Sequence, residues 1–170
     1  MVTIRAERPR DEARVREVNE RAFGRPAEAR IVDELRRSCD EGLSLVAQDD
    51  TVVGHILFTP VVVEQTGRRT AGMGLAPVSV LPDRQRQGIG SALVDRGLEL
   101  LRERGCPFVA VLGDPHFYPR FGFERASAHG LTCRWEGVSD EAFMVLILDV
   151  AAMQGVSGLV EFRAEFDEAV

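Results

Sequence analysis

The chain has 170 residues and a mass of 18.8 kDa, which predicts one domain spanning residues 1–170. Its net charge of −6 argues against a nucleic-acid partner, and the absence of lysine excludes a lysine Schiff base and a Walker-type phosphate loop. No apolar run approaches the ~18 residues that cross a bilayer and the first residues lack the apolar core of a signal peptide, so we expect a cytoplasmic protein with no membrane partner.

The first half of the sequence predicts three strands and two helices. In chain order they are a strand at 2–6, a helix at 9–23 that ends at Gly24, a helix opened by Pro26, and two hairpin strands at 43–48 and 52–63. Gly67 and the two arginines after it predict a connecting loop.

The second half begins with an apolar strand at 75–81, in which Pro77 indicates a bulge or an edge because proline donates no ladder hydrogen bond. The remaining predicted elements are a helix at 89–104 ended by Gly105, a buried strand at 108–112, a short helix at 117–121, and strands at 131–135 and 143–150. Residues 151–170 are either a tail or an extra strand, and they leave a homodimer open. The order of elements indicates an α/β (α+β mixed) fold.

The segment 78–93 has the pattern of a strand, a polar turn with glycines, and a helix. A helix N-terminus has unpaired N–H groups and a partial positive charge, so it can hold a phosphate, and Gly88 and Gly90 let the anion approach the backbone. A dinucleotide fingerprint fails because Leu93 stands where its third glycine belongs. An ordinary glycine-containing helix start stays the alternative reading.

The turn also has the form Q/R-x-x-G-x-G/A and resembles the acetyl-CoA motif of the GNAT superfamily, the GCN5-related N-acetyltransferases. The resemblance implies that acetyl-CoA is the co-substrate and that the strand residues Val78 and Val80 pair with its pantetheine arm. It also implies that a run of seven residues lines the pyrophosphate site: Gln85, Arg86, Gln87, Gly88, Ile89, Gly90 and Ser91. Arg84, Arg86 and Arg120 are candidates for the 3′-phosphate.

A second match, residues 113–123, resembles the Y-x-x-x-G-F element of the family and, more closely, the G-D-P-x-x-Y-x-R-F-G-F form of its YhbS-like branch. It implies that Tyr118, the only tyrosine in the chain, donates a proton to the departing CoA thiolate. A tyrosine with a packing role alone is the alternative. The resemblance is strongest over 75–125 and implies one GNAT-like domain with a central mixed, mostly antiparallel sheet, a V-shaped splay and flanking helices.

The activity implied is direct attack of an amine of a small molecule or peptide on the thioester, with an oxyanion near the Val80 N–H. The strand at 75–81 has no carboxylate, so the general base is unassigned. Asp114 and His116 are the candidates, a water chain is the alternative, and Glu28 is a candidate for the acceptor pocket. The scattered cysteines and histidines predict no metal site. A non-catalytic acyl-CoA-binding module is the competing hypothesis.

Overall fold

Nine strands and three α-helices make up most of the computed structural model, which describes residues 1–169. The strands are β1 Thr3–Ala6, β2 Leu43–Gln48, β3 Val52–Gln65, β4 Arg68–Val80, β5 Phe108–Leu112, β6 Glu124–Arg125, β7 Leu131–Cys133, β8 Phe143–Ile147 and β9 Gly158–Glu161. The helices are α1 Glu12–Phe23, α2 Ala27–Ser38 and α3 Ile89–Glu103, and a 3-10 turn covers Tyr118–Phe121.

The strands are hydrogen-bonded in the order β1-β2-β3-β4-β5-β8-β6, and β9 pairs with β3 and β7. Five of the described pairings are antiparallel, whereas β4–β5 and β7–β9 are parallel. The mixed, mostly antiparallel sheet is therefore confirmed. The register of β4 with β5 consists of two pairs, Met73 with Val109 and Gly74 with Ala110.

The first of two compact units comprises Met1–Phe58, Ala76–Glu99 and the residues from Glu165. In this unit α1 and α2 present apolar residues to the core, including Val15, Val18 and Leu35. The ring of Phe58 lies against α3 at Gly97, where a Cβ would come within 2.3 Å of Phe58 Cε2. Glycine is therefore required for this close approach.

A buried polar chain in the first unit is centred on His55, which has no solvent exposure. The Ser44 hydroxyl donates to Glu7 at 2.5 Å, so the 2.9 Å bond between Ser44 and His55 requires the proton to be on Nε2 of the imidazole. The His55 Nδ1 then accepts from the Asn19 amide at 3.2 Å. Burial, with a smaller effect of the Arg36 cation, lowers the pKa of His55 to about 3, so the ring is neutral.

The second unit comprises Thr59–Leu75 and Leu100–Ala164 and has its own apolar cluster, in which Phe108, Leu131, Phe143 and Val160 are buried. The predicted loop after Gly67 is wrong, because β4 already begins at Arg68. Gly72 and Gly74 have a low strand propensity, so the sequence pattern did not predict this part of β4. A Cβ at Gly72 would lie 2.6 Å from the Phe108 ring, and one at Gly74 would lie 2.9 Å from Val61.

Other boundaries differ from the predictions in smaller ways. The strand predicted at 143–150 ends at Ile147, and the short β6 was not predicted. Within the C-terminal residues, β9 pairs with both β3 and β7. Pro77 lies inside β4, beyond the two residues that pair with β5, and its peptide bond with Ala76 is cis.

Candidate functional site

The carboxyl end of β4 has one buried and one partly open face. Pro77 and Ser79 are buried, whereas Val78 and Val80 are half-buried, which is the period of two that a strand imposes. The strand is anchored at its end because the Leu81 N–H donates to the Val53 carbonyl at 2.9 Å. Val78 and Val80, the residues predicted to contact pantetheine, therefore share the accessible face.

The turn after β4 is held in shape by its own side chains. The Gln85 amide donates to the Val80 carbonyl at 3.0 Å, and the Gln87 amide contacts the Asp83 carbonyl at 3.4 Å. The Arg84 guanidinium pairs with Asp49 at 3.0 Å and thereby lowers the pKa of that carboxyl. These contacts fix the path of the backbone before the helix.

The N-terminus of α3 is open towards the turn. The Ala92 N–H donates to the Gly88 carbonyl at 3.0 Å, so the N–H groups of Ile89, Gly90 and Ser91 precede the first N–H group that donates within the helix. Gly88 has a φ of +82°, and a Cβ at this position would meet no atom within 4 Å. The space beside Gly88 is therefore accessible to a ligand, and the three N–H groups with the helix dipole suit an anion.

Of the three arginines considered for phosphate, only Arg86 is uncommitted. It is exposed, has a φ of 62°, and forms neither an ion pair nor a hydrogen bond within residues 1–169. Arg84 is paired with Asp49, and the Arg120 guanidinium stacks 4.6 Å from the centre of the Phe117 ring while donating to the Phe117 carbonyl. Arg86 is thus the cation of the turn that is available to a phosphate.

Tyr118 lies in the second unit, on the 3-10 turn that follows β5. Its side chain is 7% exposed, and its ring packs edge-to-face with Phe117 at 5.0 Å and Phe123 at 5.6 Å between ring centres. A Cβ at Gly113 would lie 2.5 Å from Tyr118 Cε2, so glycine allows the ring to approach the backbone here. Sequence reasoning did not identify this role of Gly113.

The hydroxyl of Tyr118 is suited to proton donation. Burial raises the pKa of Tyr118 well above its usual value, and the nearby Asp114 charge adds a smaller increase. The phenol therefore keeps its proton at neutral pH. No hydrogen bond of this hydroxyl is present within the described part of the chain, so it has no competing protein acceptor there.

The two candidate bases, Asp114 and His116, and the acceptor-pocket candidate Glu28 differ in the hydrogen bonds that their side chains already form. An Asp114 side-chain oxygen accepts the His116 backbone N–H at 2.8 Å, which is an Asx-turn contact. The His116 ring is exposed and lines a pocket of about 280 Å³ in the second unit. Glu28, in the first unit, is 8% exposed and receives hydrogen bonds of 2.8 Å to each oxygen from Arg25. Sequence reasoning did not identify this pair, whose members are three residues apart.

Two of the cysteines lie in environments that disfavour thiolate chemistry. Burial raises the pKa of both Cys106 and Cys133, which disfavours their thiolate forms. Within residues 1–169, no group of three or more histidine, cysteine, aspartate or glutamate side chains is placed to bind a metal. None of the described helices has both the length and the apolar character needed to span a membrane.

Comparisons with known proteins cover the residues described above. A family model described as an acetyltransferase (GNAT) domain matches residues 3–126. The chain is 42% identical over 166 residues to YhbS of Escherichia coli K12, which is named an uncharacterized N-acetyltransferase. The aligned residues make up 96% of this chain and 98% of that protein.

Two solved structures are similar over nearly the whole chain. One is the GNAT family N-acetyltransferase YhbS from Escherichia coli in complex with CoA, with a TM-score of 0.91 and 41% identity over 98% of this chain and 92% of that one. The other is a GNAT family acetyltransferase from Brucella melitensis in complex with acetyl-CoA, with a TM-score of 0.80 and 38% identity over 98% and 99%.

Proposed function

Because the chain belongs to the GNAT acetyltransferase family, we propose that it transfers the acetyl group of acetyl-CoA to a primary amine of a small molecule or peptide. The observation that supports this most strongly is the open N-terminus of α3 beside Gly88. The relatives from Escherichia coli and Brucella melitensis, which were crystallised with CoA and acetyl-CoA, support the same ligand.

The residues of the turn fit the pyrophosphate of that ligand. The N–H groups of Ile89–Ser91 donate to its oxygens, and the uncommitted Arg86 guanidinium adds a cation. Gly88 leaves the approach clear, and Gln85 and Gln87 line the turn. The half-buried face at Val78 and Val80 accepts the extended pantetheine arm, and the Val80 N–H stabilises charge on the acetyl oxygen during attack.

Acetyl-CoA, when bound, supplies an acetyl group activated as a thioester. The amine must first lose a proton, which for a free alkylamine costs about 4–5 kcal/mol at pH 7. The nitrogen lone pair then forms the C–N bond while the C–S bond breaks, and the Tyr118 hydroxyl gives its proton to the sulfur. The nitrogen loses its remaining extra proton to water, and the Tyr118 phenolate regains a proton from water. The raised pKa of Tyr118 keeps that proton in place until it is needed.

The base that accepts the proton of the amine is best assigned to His116 or to water. The imidazole of His116 has no hydrogen-bond partner within residues 1–169, whereas Asp114 caps its own turn. Glu28 is matched by the Arg25 guanidinium, which suits it to binding in the acceptor pocket better than to proton transfer.

A Tyr118→Phe variant tests the assignment. We expect unchanged CoA affinity by isothermal titration calorimetry and a fall in turnover of about 10²–10⁴-fold, measured as thiol release with a panel of amines. Unchanged turnover in the variant would refute the acid role of Tyr118. CoA binding without turnover on any amine, in either protein, would favour the non-catalytic binding module.

A further inference from the structure

A groove of about 830 Å³ lies in the second unit, and Gly122, the residue that ends the Tyr118 turn, is part of its lining. Leu146 and Ile147, at the carboxyl end of β8, line it. The opposite end of β8, Phe143, pairs with Leu112, the residue from which the Tyr118 segment departs. Four residue steps of ~3.3 Å place Phe143 and Ile147 about 13 Å apart. The part of the groove at Ile147 is therefore distant from Leu112, whereas Glu124 lines both this groove and the pocket of His116.

The floor of the groove is apolar. Leu131 and Val156, both buried members of the apolar core of the second unit, line it together with Leu146, which is 8% exposed. At the surface, Val150 contributes an isopropyl group that is 79% exposed. A volume within the ~300–1,000 Å³ typical of ligand sites, with an apolar floor and an apolar rim, suits the hydrocarbon body of a small molecule.

One wall of the groove is the loop from Asp149 to Ser157, which hydrogen bonds hold in a fixed shape. The Asp149 carboxylate accepts the Ala152 N–H at 3.0 Å, and the Met153 N–H donates to the Asp149 carbonyl at 3.1 Å. Arg68 donates to the carbonyls of Gln154 and Ala152, both at 2.7 Å. The wall is thus organised before any ligand arrives, which reduces the entropy lost on binding.

The polar end of the groove is acidic. Glu124 is the one carboxylate among the described residues that line the groove, and no arginine is among them; the His129 ring donates to the Glu124 Oε1 at 3.2 Å. The second oxygen of that carboxylate has no partner within residues 1–169. Arg125, the next residue, pairs instead with Asp140 and Glu141, and the Arg68 cation is directed at loop carbonyls. The Glu124 charge is therefore left for a cationic partner.

We propose that this groove is a second binding site, for a small amphipathic ligand with a hydrocarbon body and an ammonium head. The hydrocarbon body packs on Leu131, Leu146 and Val156 and covers Val150. The ammonium group donates to the free oxygen of Glu124. The site does not depend on acetyl transfer.

The test is a titration of the full chain, with ¹³C-labelled methyl groups and without acetyl-CoA, so that no turnover occurs. The probes are n-octylammonium, n-octanol and octanoate, which share one hydrocarbon body and differ in the charge of the head. We expect saturable shifts of the Leu131, Leu146 and Val156 methyl signals, with affinity in the order ammonium, alcohol, carboxylate.

Variants test separately the contact of the ammonium head with Glu124 and the contact of the hydrocarbon body with Val150. We expect Glu124→Gln to weaken octylammonium binding about threefold without affecting octanol, since an exposed ion pair contributes little. Val150→Ser weakens all three probes, and Glu136→Gln, which removes an exposed carboxylate outside the groove, changes none.

Three results would overturn the proposal. One is the absence of saturable shifts at the groove methyl groups. Another is octanoate binding as tightly as octylammonium. The third is a wild-type dimer in sedimentation experiments that Val150→Asp dissociates, because a second copy of the chain would then be the occupant of the groove.

Discussion

A Gly113→Ala substitution will displace the Tyr118 ring. The added Cβ would stand 2.5 Å from Tyr118 Cε2 and 3.3 Å from Cδ2, whereas carbon atoms in contact lie about 3.5–4.0 Å apart. The ring must therefore move by about 1 Å. It cannot do so freely, because Phe117 and Phe123 pack against it edge-on.

The expected loss in turnover follows from this displacement. A misplacement of about 1 Å at a reacting group costs on the order of 10²-fold in rate, and overpacking costs about 1–3 kcal/mol in the free energy of unfolding. We expect turnover to fall about 100-fold in a thiol-release assay. CoA affinity, which the account assigns to the strand, turn and helix at 78–91, stays within about twofold of wild type.

Two controls distinguish a displaced acid from general damage. Gly97→Ala creates an equally close contact, 2.3 Å from Phe58 Cε2, in the first unit, so it lowers the melting temperature without affecting the Tyr118 ring. In a Tyr118→Phe background, Gly113→Ala causes little further loss, because the hydroxyl it displaces is already absent. Additive losses in the double variant, or full activity in Gly113→Ala, would refute the reasoning.

Two predictions concern pH. His55 has a pKa of about 3 in the folded state and about 6.5 in the unfolded state. Between these pH values its imidazole is protonated only in the unfolded state. The free energy of unfolding therefore falls by about 1.4 kcal/mol per pH unit as the pH decreases through that range. His55→Gln flattens this slope in denaturant titrations, and an unchanged slope would show that the ring is not neutral. Because the pKa of Tyr118 is raised, turnover measured up to pH 10 shows no decline from tyrosine ionisation, and a Tyr118-dependent decline near pH 9 would contradict the burial argument.

The elements that local signals specify were predicted well. Gly24, with a φ of 67°, ends α1 as the sequence indicated, and β2 has the predicted bounds. The strand, turn and helix at 78–93 was recognisable because its glycines and helix start lie within sixteen consecutive residues. Gly113 and Tyr118 are also close in the sequence, but the packing role of Gly113 depends on the direction in which the Tyr118 ring points.

What the sequence could not reveal depends on residues that are distant along the chain. The first seven residues of β4 were not predicted as a strand. Gly72 is required there because the ring of Phe108, 36 positions away, packs against it, and this contact cannot be inferred from the local sequence. The commitment of Arg84 to Asp49 was equally hidden, and it leaves Arg86 as the available cation. The polar chain through His55 joins residues from four separate elements or loops, so no spacing rule predicts it.

We propose that the N-terminus of α3 beside Gly88 binds CoA. Gly88 and Gly105 offer a matched pair, since both have a left-handed φ, of 82° and 74°, and a Cβ at either would meet no atom within 4 Å. Alanine at either position therefore imposes a similar strain of about 1–2 kcal/mol.

The direct measurement is calorimetric titration of CoA into the wild type and the two alanine variants. We predict that Gly88→Ala weakens CoA binding at least tenfold, because its methyl group occupies the approach to the helix N–H groups, while Gly105→Ala binds as the wild type does. Equal affinity of the two variants, or no binding by the folded wild-type protein at millimolar CoA, would contradict the account.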